Sequence, residues 1–298
     1  MPGDGFSTMN FSHQRTLAES LREYGQGVAG GLIFALPLLF TMELWDSALT
    51  IDPCKLLLYV AFTMGLLFLY NRYAGLRRDA SLWEVWIDSI EELGIGLLLS
   101  AAFLYLLGRI GADDSGYEIL NRIVMEGMTL AIGVSVGTAQ LGTDEKENEG
   151  GMDGDDDPDT ATYDYPGQSA IALCGAVLFA ANIAPTEEVE IVARESSPAR
   201  LAGFAIVAVG MGIALLYFSE FRGSRRHLPG RTWWLVAREI ITSYAAALAA
   251  SAALLYFFAR ATPFHAAVIV VSLPAMLGAS AGRLLLQVQT PQRSPDHE

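Results

Sequence analysis

The chain has 298 residues, of which 52% are hydrophobic and only 17% are charged, and its formal net charge is −14. Soluble domains carry about a quarter charged residues, and an acidic chain without a basic stripe does not suit nucleic acid. The composition therefore argues against a soluble domain and against a nucleic-acid partner. Because the apolar residues come in runs of about twenty, the length of a helix that crosses the hydrocarbon layer, we expect a multi-span protein in the lipid bilayer.

The first half of the chain predicts a polar tail followed by four spans. The tail covers residues 1–26 and lacks the apolar core and cleavage site of a signal peptide. The expected spans are residues 27–45, 54–73, 81–107 and 117–141. Pro37 lies inside the first span, and proline kinks or breaks a helix because it has no N–H to donate.

An acidic segment separates the two halves. Residues 143–167 are rich in Asp, Glu and Gly and have few apolar side chains to offset the entropy of ordering, so they predict a disordered linker. The spans that follow are expected at residues 168–194, interrupted near Pro185, and at 198–221, 232–259 and 263–288, before a polar tail at 289–298. The excess of acidic side chains is typical of surfaces adapted to high salt, and an acidic interaction loop is the competing explanation.

The second half of the sequence echoes the first. Residues 100–109, SAAFLYLLGR, return as residues 251–260, SAALLYFFAR. Further matches follow in the same order, at Gly30 and Gly175, Glu43 and Glu188, and Gly133 and Gly278. A duplicated unit leaves collinear matches of this kind. We therefore predict two copies of one four-span unit, at residues 27–142 and 168–288.

The predicted fold is an all-α polytopic membrane helix bundle with about eight spans. An even number of spans places both ends of the chain on one side, and most arginine and lysine residues fall in segments on that side. Such residues mark the cytoplasmic face, so we expect both termini and the acidic linker to be cytoplasmic in a cell-membrane protein. Four spans per unit make the two repeats parallel, with shared sites at the interface between them. The sequence does not indicate an oligomeric state.

Acidic residues recur near the outer ends of the first and fifth spans. Glu43 follows Thr41 and Met42, and its counterpart Glu188 lies beside Glu187 just after Pro185. Charged residues within spans are costly and usually functional, and hard cations favour oxygen ligands. The pattern predicts an outward-facing cation site between the two units. The alternative is that these carboxylates lie in headgroup water and bind nothing.

Glu126 is the deeper acid. In a helix that begins at Tyr117, with a rise of about 1.5 Å per residue, it lies roughly 13 Å along the axis. Its counterpart in the second unit is Val271. Two interpretations stay open: a proton relay or cation ligand, and an ordinary pair with Arg122 one helical turn earlier.

Two short motifs resemble the nucleophile elbow of hydrolases, G-x-S-x-G, at residues 133–137 and 278–282. That elbow requires a strand, a sharp turn and a helix, whereas both motifs lie in apolar helices. Small residues four positions apart instead allow helices to pack closely in lipid. Without a nucleophile–base pair, a metal cluster or a cofactor motif in the sequence, we expect neither an enzyme nor a bound cofactor.

Two segments carry a family resemblance. Residues 30–45, GGLIFALPLLFTMELW, and residues 185–190, PTEEVE, resemble a prokaryotic family of integral membrane proteins catalogued as domain of unknown function 2391. The resemblance covers most of the chain outside the linker and tails. It implies a membrane location and no activity, cofactor or site residue.

Two functions therefore compete at the level of sequence. The first is a cation transporter or channel that uses Glu43, Glu188, Glu126 and Glu187 as cation ligands or proton carriers. The second is a membrane scaffold or partner-binding protein, in which the same acids only solvate the rim.

Overall fold

The computed structural model describes residues 17–74, 81–141, 165–218, 233–258 and 263–287, and all regular structure within them is helical. The ten helices of the described residues are α1 (Leu17–Leu39), α2 (Met42–Thr50), α3 (Pro53–Ala74), α4 (Leu82–Leu106), α5 (Gly116–Leu141), α6 (Tyr165–Ala181), α7 (Glu187–Glu195), α8 (Pro198–Phe218), α9 (Trp233–Phe257) and α10 (Phe264–Gln287). The all-α prediction is confirmed. Both predicted tails lie largely or wholly outside the described residues, as does the predicted linker except for its last residues, which begin α6.

Within the described residues, six helices are long and apolar enough to cross a membrane, namely α3, α4, α5, α8, α9 and α10. The pair α1 and α2 adds a seventh span only if it is taken as one unit, because the two helices are bent by 82° relative to one another. Helix α6 is apolar but has only 17 residues, which is the lower limit for crossing hydrocarbon. The chain is thus a multi-span membrane protein, and the count of eight spans stays a prediction.

Proline breaks the first span, as its position suggested. Pro37 lies inside α1, which ends at Leu39, and the chain turns sharply before α2 begins at Met42. The α1 helix also begins at Leu17, well before the expected span at residue 27. A second break follows α6, and Pro185 lies in the turn that leads to α7. The acids near these breaks therefore belong to two short helices of nine residues each.

Side-chain caps define the boundaries of the long helices. Ser81 and Glu84 form a reciprocal capping box at the start of α4, which satisfies backbone N–H groups that have no helical partner. Asp52 accepts a hydrogen bond from the backbone N–H of Cys54 at the start of α3 (2.9 Å). After α4 the chain reverses at Gly108, whose φ of 65° is a conformation that glycine adopts without steric cost.

Each half of the chain packs around its last helix. In the first half, α1 to α5, the α5 helix contacts α1, α2, α3 and α4; in the second half, α6 to α10, the α10 helix contacts α6, α7, α8 and α9. The halves meet mainly where α3 packs against α6, with smaller contacts from α1 and α5. Asn182 adds a polar link across this boundary, because its Nδ2 donates to the carbonyl oxygen of Phe34 (2.8 Å).

Both G-x-S-x-G motifs are helix-packing sites, as predicted. Gly133 and Gly137 of α5 face Gly30 of α1, and a Cβ atom on Gly30 would lie 2.2 Å from the Cα of Gly137. In the second half, Gly278 of α10 faces Gly175 of α6, where a Cβ on Gly175 would lie 2.2 Å from the Gly278 carbonyl oxygen. The backbones of each pair are in direct contact, so the motifs serve close approach between helices.

Candidate functional site

The acids of the short helices lie at helix N-termini. Glu43 is half-buried in the first turn of α2, and Glu187 and Glu188 are exposed in the first turn of α7. A carboxylate there is stabilised by the positive end of the helix dipole. Helix α2 packs on α5 and α7 packs on α10. No hydrogen bond or ion pair joins these side chains within the described ranges, and the shared cation site remains a prediction.

Glu126 is the predicted acid that the fold buries. Its exposed fraction is 1%, and it lies in α5 between α2 and α3. The indole Nε1 of Trp45 donates a hydrogen bond to Oε1 of Glu126 (3.1 Å). Among the described residues, the second carboxylate oxygen, Oε2, has no hydrogen-bond partner. A negative charge in such surroundings is costly unless a proton or a cation neutralises it.

The alternative pairing of Glu126 with Arg122 is wrong. The Nη1 atom of Arg122 instead donates to the carbonyl oxygen of Arg109 (2.6 Å) and to Oδ1 of Asp114 (3.2 Å). Both acceptors belong to the connection between α4 and α5, which folds back over the start of α5. An i,i+4 spacing allows a pair on one helix, but here the connection supplies closer acceptors.

Arg109 lies over the ring of Trp45, the residue that bonds to Glu126. The Arg109 guanidinium carbon is 4.2 Å from the centre of the Trp45 ring, an attractive arrangement of a cation on an aromatic face. One turn after Trp45, the carbonyl oxygen of Ala48 accepts a hydrogen bond from Nδ2 of Asn121 (3.1 Å). Helix α2 is thus joined to α5 by hydrogen bonds from the side chains of Trp45 and Asn121.

Hydroxyl groups lie deeper, between α3 and α5. The hydroxyl groups of Tyr59 and Thr129 are hydrogen-bonded to one another (3.3 Å), and both residues are fully buried. One turn further along α3, the buried Oγ1 of Thr63 has no hydrogen-bond partner among the described residues. Hydroxyls both donate and accept hydrogen bonds, so this stripe is chemically able to pass a proton or to bind water.

A second buried carboxyl group, which the sequence analysis missed, lies in α4. Oε2 of Glu92 accepts a hydrogen bond from Nδ2 of Asn71 (2.7 Å). The same amide nitrogen donates to Oγ of Ser89 (3.1 Å), and Oγ of Ser135 donates to Oδ1 of Asn71 (3.0 Å). All four residues are buried. We call them the Glu92 cluster; it joins α3, α4 and α5.

A signal for Glu92 was present in the sequence. The buried face of α4 consists of Val85, Ser89, Glu92, Gly96, Ser100 and Leu104. These positions are three or four apart, which places them on one side of a helix. Four of them are small or polar, so a stripe of small residues that contains one acid marks the inward face of this span.

These arrangements limit the available chemistry. Within the described ranges, no three His, Cys, Asp or Glu residues come together as a metal site would require. The interior instead holds two buried carboxyl groups, each with an N–H donor, and a series of hydroxyls on α3 and α5. Such groups can take up and release a proton or a single small cation.

Replacing Trp45 with phenylalanine is expected to weaken the structure around Glu126. Phenylalanine keeps an aromatic ring beneath Arg109 but removes the donor to Oε1, and loss of a hydrogen bond to a buried acceptor costs about 1–3 kcal/mol. The midpoint of thermal unfolding in detergent should therefore fall. Trp83→Phe is the matched control, because Trp83 is 73% exposed. Equal midpoints for the two variants would contradict a structural role for the Trp45 hydrogen bond.

Comparison with known proteins places the chain in a family without assigning it an activity. No curated protein and no solved structure gave a significant match. The model of one family, described as "Putative integral membrane protein (DUF2391)", matches residues 23–286. This match includes every helix from α2 to α9, most of α1 and all but the last residue of α10, so the chain belongs to that family.

Proposed function

We propose that this protein moves a proton or another small cation across the membrane, and that Glu126 is the group that carries it. The observation that supports this proposal is the state of its carboxyl group. It is almost fully buried, one oxygen is fixed by Trp45, and the other has no described partner. Acids in the membrane interior are rare and mark ion pathways or proton relays.

The acids of the short helices suit the entrance of such a pathway. Glu43 lies in the same short helix as Trp45, whose indole contacts Glu126. Glu187 and Glu188 occupy the corresponding position in α7. Clustered negative charge raises the local concentration of cations. We assign these three residues to cation attraction at the outer face, and Glu126 to the translocation step.

We further propose that the two halves derive from one duplicated unit with parallel orientation. Each half contains a long helix, a helix of nine residues and three more long helices. The last helix is the packing centre in both, and glycines at matching positions lie in the contact between the first and last helices of each half. If α1 and α6 also span the membrane, the total is eight spans. The distribution of arginine and lysine then favours cytoplasmic termini and a cytoplasmic linker.

In this proposal the first half carries the ion and the second half supports it. Val271 replaces Glu126 in α10, and it is fully buried. The alanine- and glycine-rich contact between α6 and α10 instead favours a structural role. The alternative function is a scaffold that binds a partner and moves no ion. In that case both halves would have only this structural role. Neither function involves catalysis of a chemical reaction.

Ion flux through proteoliposomes tests the proposal. Purified protein would be reconstituted, and Na⁺, K⁺ and H⁺ gradients would be applied in turn. Glu126→Gln should reduce the flux of the transported ion to that of protein-free vesicles, because the amide cannot bind a proton or neutralise a cation. Its side-chain oxygen can still accept the Trp45 hydrogen bond, so the fold should persist.

Glu91→Gln is the control for the loss of one acidic side chain. Glu91 is exposed in α4, so its replacement should leave the flux unchanged. Size-exclusion chromatography and the thermal unfolding midpoint would establish that each variant is folded. Absence of flux for all three ions in the wild-type protein would reject transport and favour the scaffold.

A further inference from the structure

We propose that the transported ion is a proton and that Glu92 is a second proton-binding group on its route. This inference rests on the proposed transport function. The two carboxyl groups lie at different depths in the first half. Glu126 is nearer the end where α4 connects to α5, whereas the Glu92 cluster includes Ser135 further along the helix. At a rise of about 1.5 Å per residue, Ser135 lies roughly 13 Å beyond Glu126 along α5.

The two carboxyl groups are held in the same way. In each, one oxygen accepts a hydrogen bond from the N–H group of a neutral side chain: Trp45 for Glu126 and Asn71 for Glu92. A donor on one oxygen fixes the orientation of the carboxyl group. At Glu126 it leaves Oε2, which has no hydrogen-bond partner among the described residues, to bind and release a proton. A proton needs only one lone pair of one oxygen, so a single N–H donor does not hinder its binding.

The surrounding charges also favour a proton. Within the described structure, neither Glu126 nor Glu92 forms an ion pair. Arg122, which lies one turn before Glu126 on α5, pairs with Asp114 instead. The groups near Glu92 are Asp88 and Glu91 on its own helix and Cys174 on α6. Tyr59 on α3 is the titratable group near Glu126. A buried carboxylate without a cationic partner is neutralised most simply by a proton.

Metal cations would find too few ligands on this route. Hard cations take about six oxygen ligands or keep part of their water shell. The described residues around each acid offer one carboxyl group and a few hydroxyl or amide oxygens. The helices are also closely packed here, with Leu66, Leu67, Met125 and Met128 buried around the stripe. A series of carboxyl and hydroxyl groups can pass a proton without six oxygen ligands around it.

Hydroxyl groups occupy the depth between the two acids. Tyr59, Thr63 and Tyr70 lie on one face of α3 and are buried, and Thr129 bonds to Tyr59 from α5. The Thr63 hydroxyl, which has no hydrogen-bond partner among the described residues, is able both to accept and to donate a proton on this route. In each transfer an O–H bond breaks, its electron pair stays on the donor oxygen, and the proton forms a new O–H bond with the next oxygen or water.

The test measures proton and metal-ion movement in the same vesicles. Proteoliposomes that contain K⁺ and a pH-sensitive dye would receive valinomycin in a medium of choline chloride without Na⁺. The resulting negative interior should draw protons in through the wild-type protein. Both Glu126→Gln and Glu92→Gln should abolish this uptake, and the neighbouring Glu91→Gln should preserve it.

The outcomes separate this inference from the proposed function. Flux of Na⁺ or K⁺ without protons in the wild-type protein would overturn the proton assignment and leave transport intact. Full proton uptake in a folded Glu92→Gln variant, with loss only in Glu126→Gln, would overturn the role of Glu92. No movement of any ion would reject transport itself.

A second variant covers the case in which Glu92→Gln does not fold. Glu92→Asp keeps an acid but withdraws it by one methylene from Asn71. Proton uptake should continue at a lower rate and with a displaced pH profile. A rate and a pH profile identical to those of the wild-type protein would overturn the assignment, because a residue that binds the transported proton must influence both.

Discussion

Alanine at Gly30 is expected to destabilise the protein, although alanine is the better helix former. A methyl group at this position would lie 2.2 Å from the Cα of Gly137 and 2.9 Å from the carbonyl oxygen of Gly133. Both are backbone atoms of α5, so no side chain can turn aside and the helices must separate. Overpacking of this kind costs roughly 1–3 kcal/mol or more. The midpoint of thermal unfolding in detergent measures the effect.

Gly65→Ala is the matched control. Gly65 lies in α3, and a methyl group there would meet no atom within 4 Å. Since alanine is favoured over glycine in a helix by about 1 kcal/mol, this variant should be neutral or slightly more stable. Gly175→Ala in α6 should behave like Gly30→Ala, because its methyl group would meet the carbonyl oxygen of Gly278. Equal midpoints for Gly30→Ala and Gly65→Ala would contradict close packing of α1 on α5.

Hydrophobic length made the membrane class and most of the helices predictable. Runs of about twenty apolar residues satisfy the hydrocarbon layer only as helices, and six such helices are found. The first span was less predictable because it ends early. Pro37 removes a backbone donor, and the chain bends by 82° between α1 and α2. The sequence indicated a break at this proline but not its angle, which depends on how α2 packs on α5.

The depth of Glu126 was predictable, but its partner was not. Its distance from the start of α5 follows from helix geometry alone. The preference of Arg122 for Asp114 depends on the path of the connection between α4 and α5, and Trp45 reaches Glu126 only because α2 turns back over α5. Trp45 is distant from Glu126 in sequence, and Asp114 lies outside the helix that carries Arg122, so helical periodicity carries no information about either contact.

Glu92 was overlooked for a different reason. It follows Asp88 and Glu91 in a segment that reads as the polar start of a span, where acids are normally solvated. The packing of α4 against α3 and α5 places Glu91 outside and Glu92 inside. One residue corresponds to about 100° around a helix, so adjacent acids have opposite environments. A helical plot of α4 that weighs small residues as inward would have separated them.

Asn71→Leu should cause the largest loss of stability among substitutions that replace a buried polar residue. Leucine has a similar volume, but it removes the donor to Glu92 and to Ser89 and the acceptor of the Ser135 hydrogen bond. Each buried polar group left unsatisfied costs roughly 1–3 kcal/mol, and a charged one costs more. Because three groups lose their partner, we expect a total loss of about 3 kcal/mol or more.

Three further variants isolate the contribution of the Glu92 cluster. Ser135 and Ser280 occupy matching positions in α5 and α10, but only the Ser135 hydroxyl has a hydrogen-bond partner within the described ranges. Ser135→Ala should lower the unfolding midpoint, whereas Ser280→Ala should leave it unchanged or raise it. Combining Asn71→Leu with Glu92→Leu should restore part of the stability, since it removes the carboxyl group that Asn71 satisfies. Strictly additive losses in the double variant would contradict a direct Asn71–Glu92 interaction.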